Sequence, residues 1–271
     1  MPGRLLPLLH VASVAAWRLQ SQHAIRQFSI QFHDEAPGRH DCLRFDACAG
    51  TTEVLMPDPY ALGSNGYEQI RSQFLKRPLP PWKERLPLAF WRGASTGTPT
   101  LTLRRLEDNW RYQLCSFSLE EPGLLDARMT AVVQGRDAKA TAQIQQHLTQ
   151  RRLLAPHCPA WMFGLHRYLI EIDGNVNSWG LLWKLLSGSC ILKVDSPRRQ
   201  WYHHKLQAYV NMVPISADLS NLGEQLHWCQ NNQEQCEHIA SAGQNLAKKE
   251  VESLGQRVLE AIDALATRNS L

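Results

Sequence analysis

Paired cysteines are missing from this chain. Its seven, Cys42, Cys48, Cys115, Cys158, Cys190, Cys229 and Cys236, are odd in number, scattered, and never spaced as CxxC. That excludes a disulfide framework and the common zinc spacings, and it fits reduced thiols in a cytoplasmic protein. Long apolar runs are missing too, since no stretch approaches the roughly 20 residues a membrane span needs. Residues 1–17 hold one early arginine and an apolar stretch broken by Pro7 and His10. They read as an amphipathic helix and not as a secretory signal, which would carry a cleaner apolar core and a small-residue cleavage site. Nor is there a strong excess of one charge. A formal +4 over 271 residues gives no argument for nucleic acid, although it suits an anionic small molecule or lipid surface. Neither GxxxxGK[ST] nor GxGxxG occurs, so a P-loop enzyme and a dinucleotide dehydrogenase are both disfavoured. No internal repeat or low-complexity tract interrupts the chain.

What is present is ordinary globular composition, 44% hydrophobic and 20% charged, in a length that suits one large domain or two of roughly 120–150 residues. The alternating FSIQF at 28–32 predicts a strand ending at Asp34-Glu35. A short strand at 54–56, a helix over 67–75 and a proline-rich connector over 78–87 follow. The buried strand LAFWR at 88–92 then runs into Gly93-Ala94-Ser95-Thr96-Gly97. Residues 137–153 predict a surface helix, and Pro156 and Pro159 place a boundary there, giving domains 1–155 and 156–271. Beyond it the rhythm is regular: strand 167–172, helix 178–186, strands 190–194 and 209–214, a helix capped by Asp218 or Ser220, then helices over 234–246 and 251–267. Alternation of this kind predicts an α/β fold with a doubly wound parallel sheet. Its ligands would lie beyond the carboxyl ends of the strands, on the loops after Ile172, Val194 and Pro214.

Three segments could carry chemistry. In FWRGASTG, Arg92, Gly93, Ser95 and Thr96 are the residue types that hold phosphate oxygens: a guanidinium fork, glycine-freed amides and hydroxyls. The plainer reading is a strand-end arginine that satisfies local carbonyls. In Asp173-Gly174-Asn175-Val176-Asn177-Ser178, a glycine turn feeds a helix start that could hold a diphosphate, or is an ordinary turn capped by Asn177 or Ser178. Asp34 could serve as a general base, though exposed Asp-Glu pairs are more often solvated charge. His203-His204 has no spaced third ligand, so no metal is expected. Trp201 reads first as a packing residue, with a role as a sugar platform left open.

Taken in order, FWRGASTG, NWRYQLCSFS, HRYLIEIDGNVNSWGLLWKLLSGSCILKV, WYHHKL and YVNMVPISADLSNL resemble glycosyltransferase family 90. The resemblance spans roughly residues 30–246 and is densest from Arg167 onward. It implies a GT-B-like architecture of two Rossmann-like domains with the donor in the cleft, held mainly by the C-terminal one. It further implies an inverting, metal-independent transfer from a UDP-sugar. Charge growing on the departing diphosphate would then have to be met by arginines, lysines and helix-end amides.

By position, the resemblance carries Arg92 over to an arginine-glycine motif in the donor site, and Arg111 to a nucleotide-contacting arginine. Gly174, Asn177 and Ser178 fall on the diphosphate turn. Asp218, Leu219 and Ser220 match an element whose amides face the nucleotide, and Asp34 matches the catalytic aspartate, with Glu35 and Asp58 as alternatives. One departure stands out: eukaryotic members carry an arginine where this chain has Gly180. Lys184, one helical turn on, is the candidate replacement. Arg92, Arg111 and the Gly174 turn are expected to share one pocket. The implied partners are a UDP-sugar donor and a glycan or lipid-linked glycan acceptor, such as lipopolysaccharide core, which would bring the protein to the inner membrane face. An inactive relative that keeps the nucleotide site is the alternative.

Overall fold

The computed structural model describes residues 2–22, 28–30, 42–50 and 53–269. They fall into two compact units. One comprises 1–71, 197–205 and 248–271, and the other 72–196 and 206–247. The boundary expected between 155 and 156 is therefore corrected: it lies inside the second unit, because strands from both sides of it share one sheet.

In the first unit α1 (Pro2–Gln22) buries Val11, Ala15 and Leu19, each four residues apart and so on one helical face. A small parallel sheet has the order β1 (Ser29–Ile30), β2 (Cys42–Arg44), β4 (Val54–Leu55). Beside it in sequence, β3 (Ala47–Cys48) pairs antiparallel with β9 (Arg198–Arg199). The short α2 (Pro59–Gly63) starts on Pro59 behind the buried carboxylate of Asp58, which accepts from the amides of Tyr60 and Ala61 at 2.8 and 3.0 Å. α10 (Leu254–Asn269) is tied to α1 by the Arg18 fork on both oxygens of Asp263, each at 2.7 Å. α3 (Glu68–Lys76) and α9 (Gln233–Glu252) contribute residues to both units. Among the described residues, no helix is long and apolar enough to cross a membrane.

The second unit is built on β5 (Leu86–Ala94), β6 (Leu125–Ala131), β7 (His166–Glu171), β8 (Cys190–Val194) and β10 (Val213–Ile215). Their order is β10-β8-β7-β5-β6, and every pairing is parallel. β8 is buried at every position, as a strand covered on both faces requires. α4 (Trp110–Glu120) follows β5, α5 (Ala138–Gln150) and the short α6 (Ala160–Phe163) follow β6, and α7 (Leu181–Leu186) joins β7 to β8. α8 (Leu222–Asn231) follows β10. Trp91 packs in one cluster with Tyr112 and Leu114 of α4. Phe90 points to the opposite face, where it meets Phe163, which in turn meets Trp183 of α7. α4 and α7 therefore cover opposite faces of a doubly wound sheet.

Local differences have local causes. The helix expected over 178–186 begins only at Leu181, because the Asp173 carboxylate draws the Ser178 amide into a turn at 2.8 Å. Tyr209, with φ of 58°, stands in a turn before the short β10. The cap of α8 is Asn221, not Asp218 or Ser220.

Candidate functional site

From β5 the chain winds one way, to β6. From β7 it winds the other way, to β8 and β10. The carboxyl ends of β5 and β7 thus flank the point where the winding reverses, the place where open α/β sheets leave a crevice for ligands. The loops that leave those two strands are 95–98 and 172–180, the segments singled out from sequence.

Arg111, in the first turn of α4, joins them. Its Nε donates to Asp173 O at 3.1 Å and its Nη2 to Ile172 O at 3.1 Å. Nη1 donates to Ala94 O at 2.9 Å and to Thr96 Oγ1 at 2.6 Å. α4 itself is aimed by Asn109, which caps the Tyr112 amide and donates to the carbonyls of Ser95 and Thr96. A second tie runs from the Gly97 amide to Asn175 Oδ1 at 2.9 Å. The fit is close: a Cβ on Gly174 would stand 2.4 Å from Thr96 Oγ1. Burial pulls the Arg111 guanidinium down from its ordinary value, opposed by the charges of Glu171 and Asp173. An arginine keeps its proton at neutral pH all the same.

Arg111 and the Gly174 turn therefore meet as expected, but Arg92 does not join them. Arg92 lies on the Phe90 face, 4.3 Å over that ring. It donates to Trp91 O, to Asp126 O and, at 2.7 Å, to Asp126 Oδ2. This is the plainer of the two readings its sequence allowed. Gly93 is required because a Cβ there would stand 2.5 Å from the Trp91 ring. The Ser95 hydroxyl binds both the amide and the carbonyl of Val133 and so braces the end of β6.

Lys184 is also engaged. Its ammonium, 4% exposed, sits 2.5 Å from Glu171 Oε2 and 3.2 Å from Ile170 O. It nevertheless occupies the space a side chain at position 180 would enter, 3.5 Å from a Cβ built on Gly180. Asn177 is buried, and the amides of Gly174 and Ser178 are bonded inside their own turn.

At the end of β10, Asp218 accepts from the Ser220 amide at 3.0 Å, and hydrogen bonding from Ser220 holds its carboxyl below the ordinary value. Leu219 takes φ of 60°. Left-handed backbone on a leucine is costly, and such strain concentrates at functional loops. Asp34 and Glu35 lie outside the described residues. Asp58 is fully buried as the cap of α2 and is not placed to serve as a base. His203-His204 lies in a single 3-10 turn. Among the described residues, no three His, Cys, Asp or Glu side chains are grouped to hold a metal ion.

Two charged residues of the sheet were passed over in the sequence because they sit inside apolar runs. Glu171 closes β7 at 1% exposure, and its Oε1 has no partner among the described residues. Lys193, in register with Glu171 on β8, is 7% exposed and donates to Val194 O at 3.2 Å. A charged residue in a strand otherwise fit for burial is the signal that could have found both.

The model of Glycosyl transferase family 90 matches residues 65–259. Uncharacterized protein 027R of Frog virus 3 (isolate Goorha) is 30% identical over 189 residues, 63% of this chain and 19% of that one. Protein O-glucosyltransferase 3 of Homo sapiens is 29% identical over 169 residues, 62% of this chain and 29% of that one. The chain thus spans less than a third of the length of these curated relatives. Among solved structures, Anabaena Alr3699/HepE in complex with UDP and glucose aligns with a TM-score of 0.50 at 11% identity, covering 94% of this chain and 67% of that one. At such identity the likeness is one of fold, and that fold is GT-B, α/β with parallel sheets.

Proposed function

The chain belongs to glycosyl transferase family 90, and from that premise we propose that it transfers a sugar from a UDP-sugar to a glycan hydroxyl by an inverting, metal-independent displacement. The observation that most supports this is the tie made by Arg111, which braces two loops at the reversal point of the five-stranded sheet. A frame held by four bonds from one guanidinium keeps its dipoles in place while charge develops on a leaving diphosphate, so little reorganisation is needed in the transition state.

In this reading the donor diphosphate lies over the loops after β5 and β7. The segment Asp218-Leu219-Ser220 closes the nucleotide side. Asp34 takes the proton of the attacking hydroxyl, with Glu35 as its alternate. Several relatives carry the name protein O-glucosyltransferase, so UDP-glucose is the first donor to test. The acceptor is a surface glycan such as lipopolysaccharide core, free or lipid-linked, and the protein works in the cytoplasm at the inner face of the membrane. The test is turnover of a UDP-sugar panel with and without EDTA. Transfer that survives EDTA and fails in Asp34→Asn supports the reading. Transfer abolished by EDTA and restored by a divalent ion overturns metal independence.

One feature favours a second reading, a binding module that keeps the nucleotide and lacks turnover. Two of the cations assigned to the diphosphate are held by carboxylates, Arg92 by Asp126 and Lys184 by Glu171, and Gly180 supplies none. UDP binding without sugar loss from any donor would select it.

A further inference from the structure

We propose that Lys193 is a diphosphate-binding residue, one that neither its sequence context nor its family position had assigned. The inference deepens the donor-site reading and rests on it for the identity of the anion. Lys193 is 7% exposed on the interior strand β8, and a buried ammonium is costly unless a negative group compensates it. Among the described residues, no carboxylate forms an ion pair with it. Its one recorded hydrogen bond goes to Val194 O at 3.2 Å. An ammonium has three donors, so two have no partner among the described residues.

The obvious internal partner is already taken. Glu171 is the register neighbour of Lys193, and side chains at paired positions of parallel strands share a face. Yet Glu171 Oε2 is bonded to Lys184 at 2.5 Å, and its Oε1 has no partner among the described residues. Among the described residues the Glu171 carboxylate is thus ion-paired with Lys184 and not with Lys193, which leaves the Lys193 charge without a paired carboxylate. The position of that charge is informative. Val194 is the last residue of β8, and the Lys193 ammonium reaches toward its carbonyl, at the carboxyl end of the sheet where α/β folds bind ligands. A phosphate oxygen is the ligand chemistry that satisfies a compact, strongly hydrated point charge there.

Calorimetric titration with UDP and with uridine, on the full chain and on Lys193→Met, tests this. Methionine fills similar volume and carries no charge. The expected result is a loss of UDP affinity of at least about tenfold, the range of one hydrogen bond from a charged donor, with uridine affinity and denaturant midpoint unchanged or the midpoint raised. Lys193→Arg is expected to recover part of the UDP affinity. Unchanged UDP affinity in Lys193→Met overturns the proposal, as does an equal loss for UDP and uridine. A Lys193→Met chain that fails to fold also overturns it, because the ammonium would then be needed by the fold itself. If the unaltered protein binds no UDP, the donor reading fails, and inorganic pyrophosphate decides the rest. A pyrophosphate-induced rise in Tm that disappears in Lys193→Met keeps the anion site, and no rise in the unaltered protein removes it.

Discussion

Replacing Arg111 by lysine keeps the positive charge and removes the planar fork, so it separates bracing from simple attraction. The guanidinium donates four bonds, three to the carbonyls of Ala94, Ile172 and Asp173 and one to Thr96 Oγ1. A lysine ammonium at the end of a flexible stem can satisfy about two of these acceptors at once. Each bond from a charged donor contributes about 1.5–3 kcal/mol net, and solvent entering the gap returns part of it, so a loss of about 3 kcal/mol is expected. For a chain of this size that corresponds to a fall of about 6–12 °C in Tm. Thermal unfolding measures the first effect, and UDP titration below the transition measures the second. Affinity is expected to fall together with stability even though the charge remains. A lysine variant with unchanged Tm and full UDP affinity would refute the bracing argument and return Arg111 to the role of a direct phosphate contact.

Three further outcomes follow from the same geometry. Lys184→Met strands the Glu171 carboxylate in the interior and is expected to cost about 3–5 kcal/mol in denaturant unfolding, most of it regained in Lys184→Met/Glu171→Leu; no recovery would mean the pair is not the reason. Arg92 and Asp126 are expected to show a coupling of about 1 kcal/mol in a double-mutant cycle, with UDP affinity of Arg92→Ala little changed; loss of UDP binding at unaltered stability would show the guanidinium leaving Asp126 for the ligand. His166 stacks on Phe90 at 4.2 Å, and burial pushes its pKa below the ordinary 6.5. Its neutral form is therefore favoured by folding, so the contribution is complete above pH 6.5 and is lost as pH falls through the depressed value. His166→Phe is expected to flatten that decline in a pH series of unfolding curves.

The parallel sheet was legible because buried strands leave compact apolar runs such as RYLIEI and CILKV between turn residues. The domain boundary was not. Pro156 and Pro159 look like a linker, but Pro159 is the cap of the four-residue α6. Nothing local reveals that β7 will pair with β5, some 80 residues earlier in the chain. β6 escaped notice although Leu125, Ala127 and Met129 alternate inward, since Asp126 and Arg128 give it the look of a charged loop. The loops of the candidate site were legible for a different reason. Glycine, asparagine and serine at a strand end are required by turn geometry whatever the ligand. The partners of the charged residues stayed hidden because Arg92 finds its acceptor 34 positions away, and a one-dimensional pattern carries no such distance.

That hidden partnering sorts the cations of the second unit by what they can still do. Arg92 and Lys184 each touch a carboxylate, so at any distance beyond the pair their charge is largely cancelled. Among the described residues, Arg111 and Lys193 donate to carbonyls and a hydroxyl and to no carboxylate. Carbonyl dipoles orient a cation without neutralising it, so these two retain more of their field, reduced at Arg111 by the nearby charges of Glu171 and Asp173. At an effective dielectric of about 20, a unit charge about 7 Å away is worth roughly 2 kcal/mol to a developing negative charge. In the proposed reaction Arg111 can therefore favour a departing diphosphate while four of its five N–H donors are occupied by protein. Extensive internal hydrogen bonding and electrostatic function are compatible at this residue, and the fixed geometry that the carbonyls impose is what makes the field available without rearrangement.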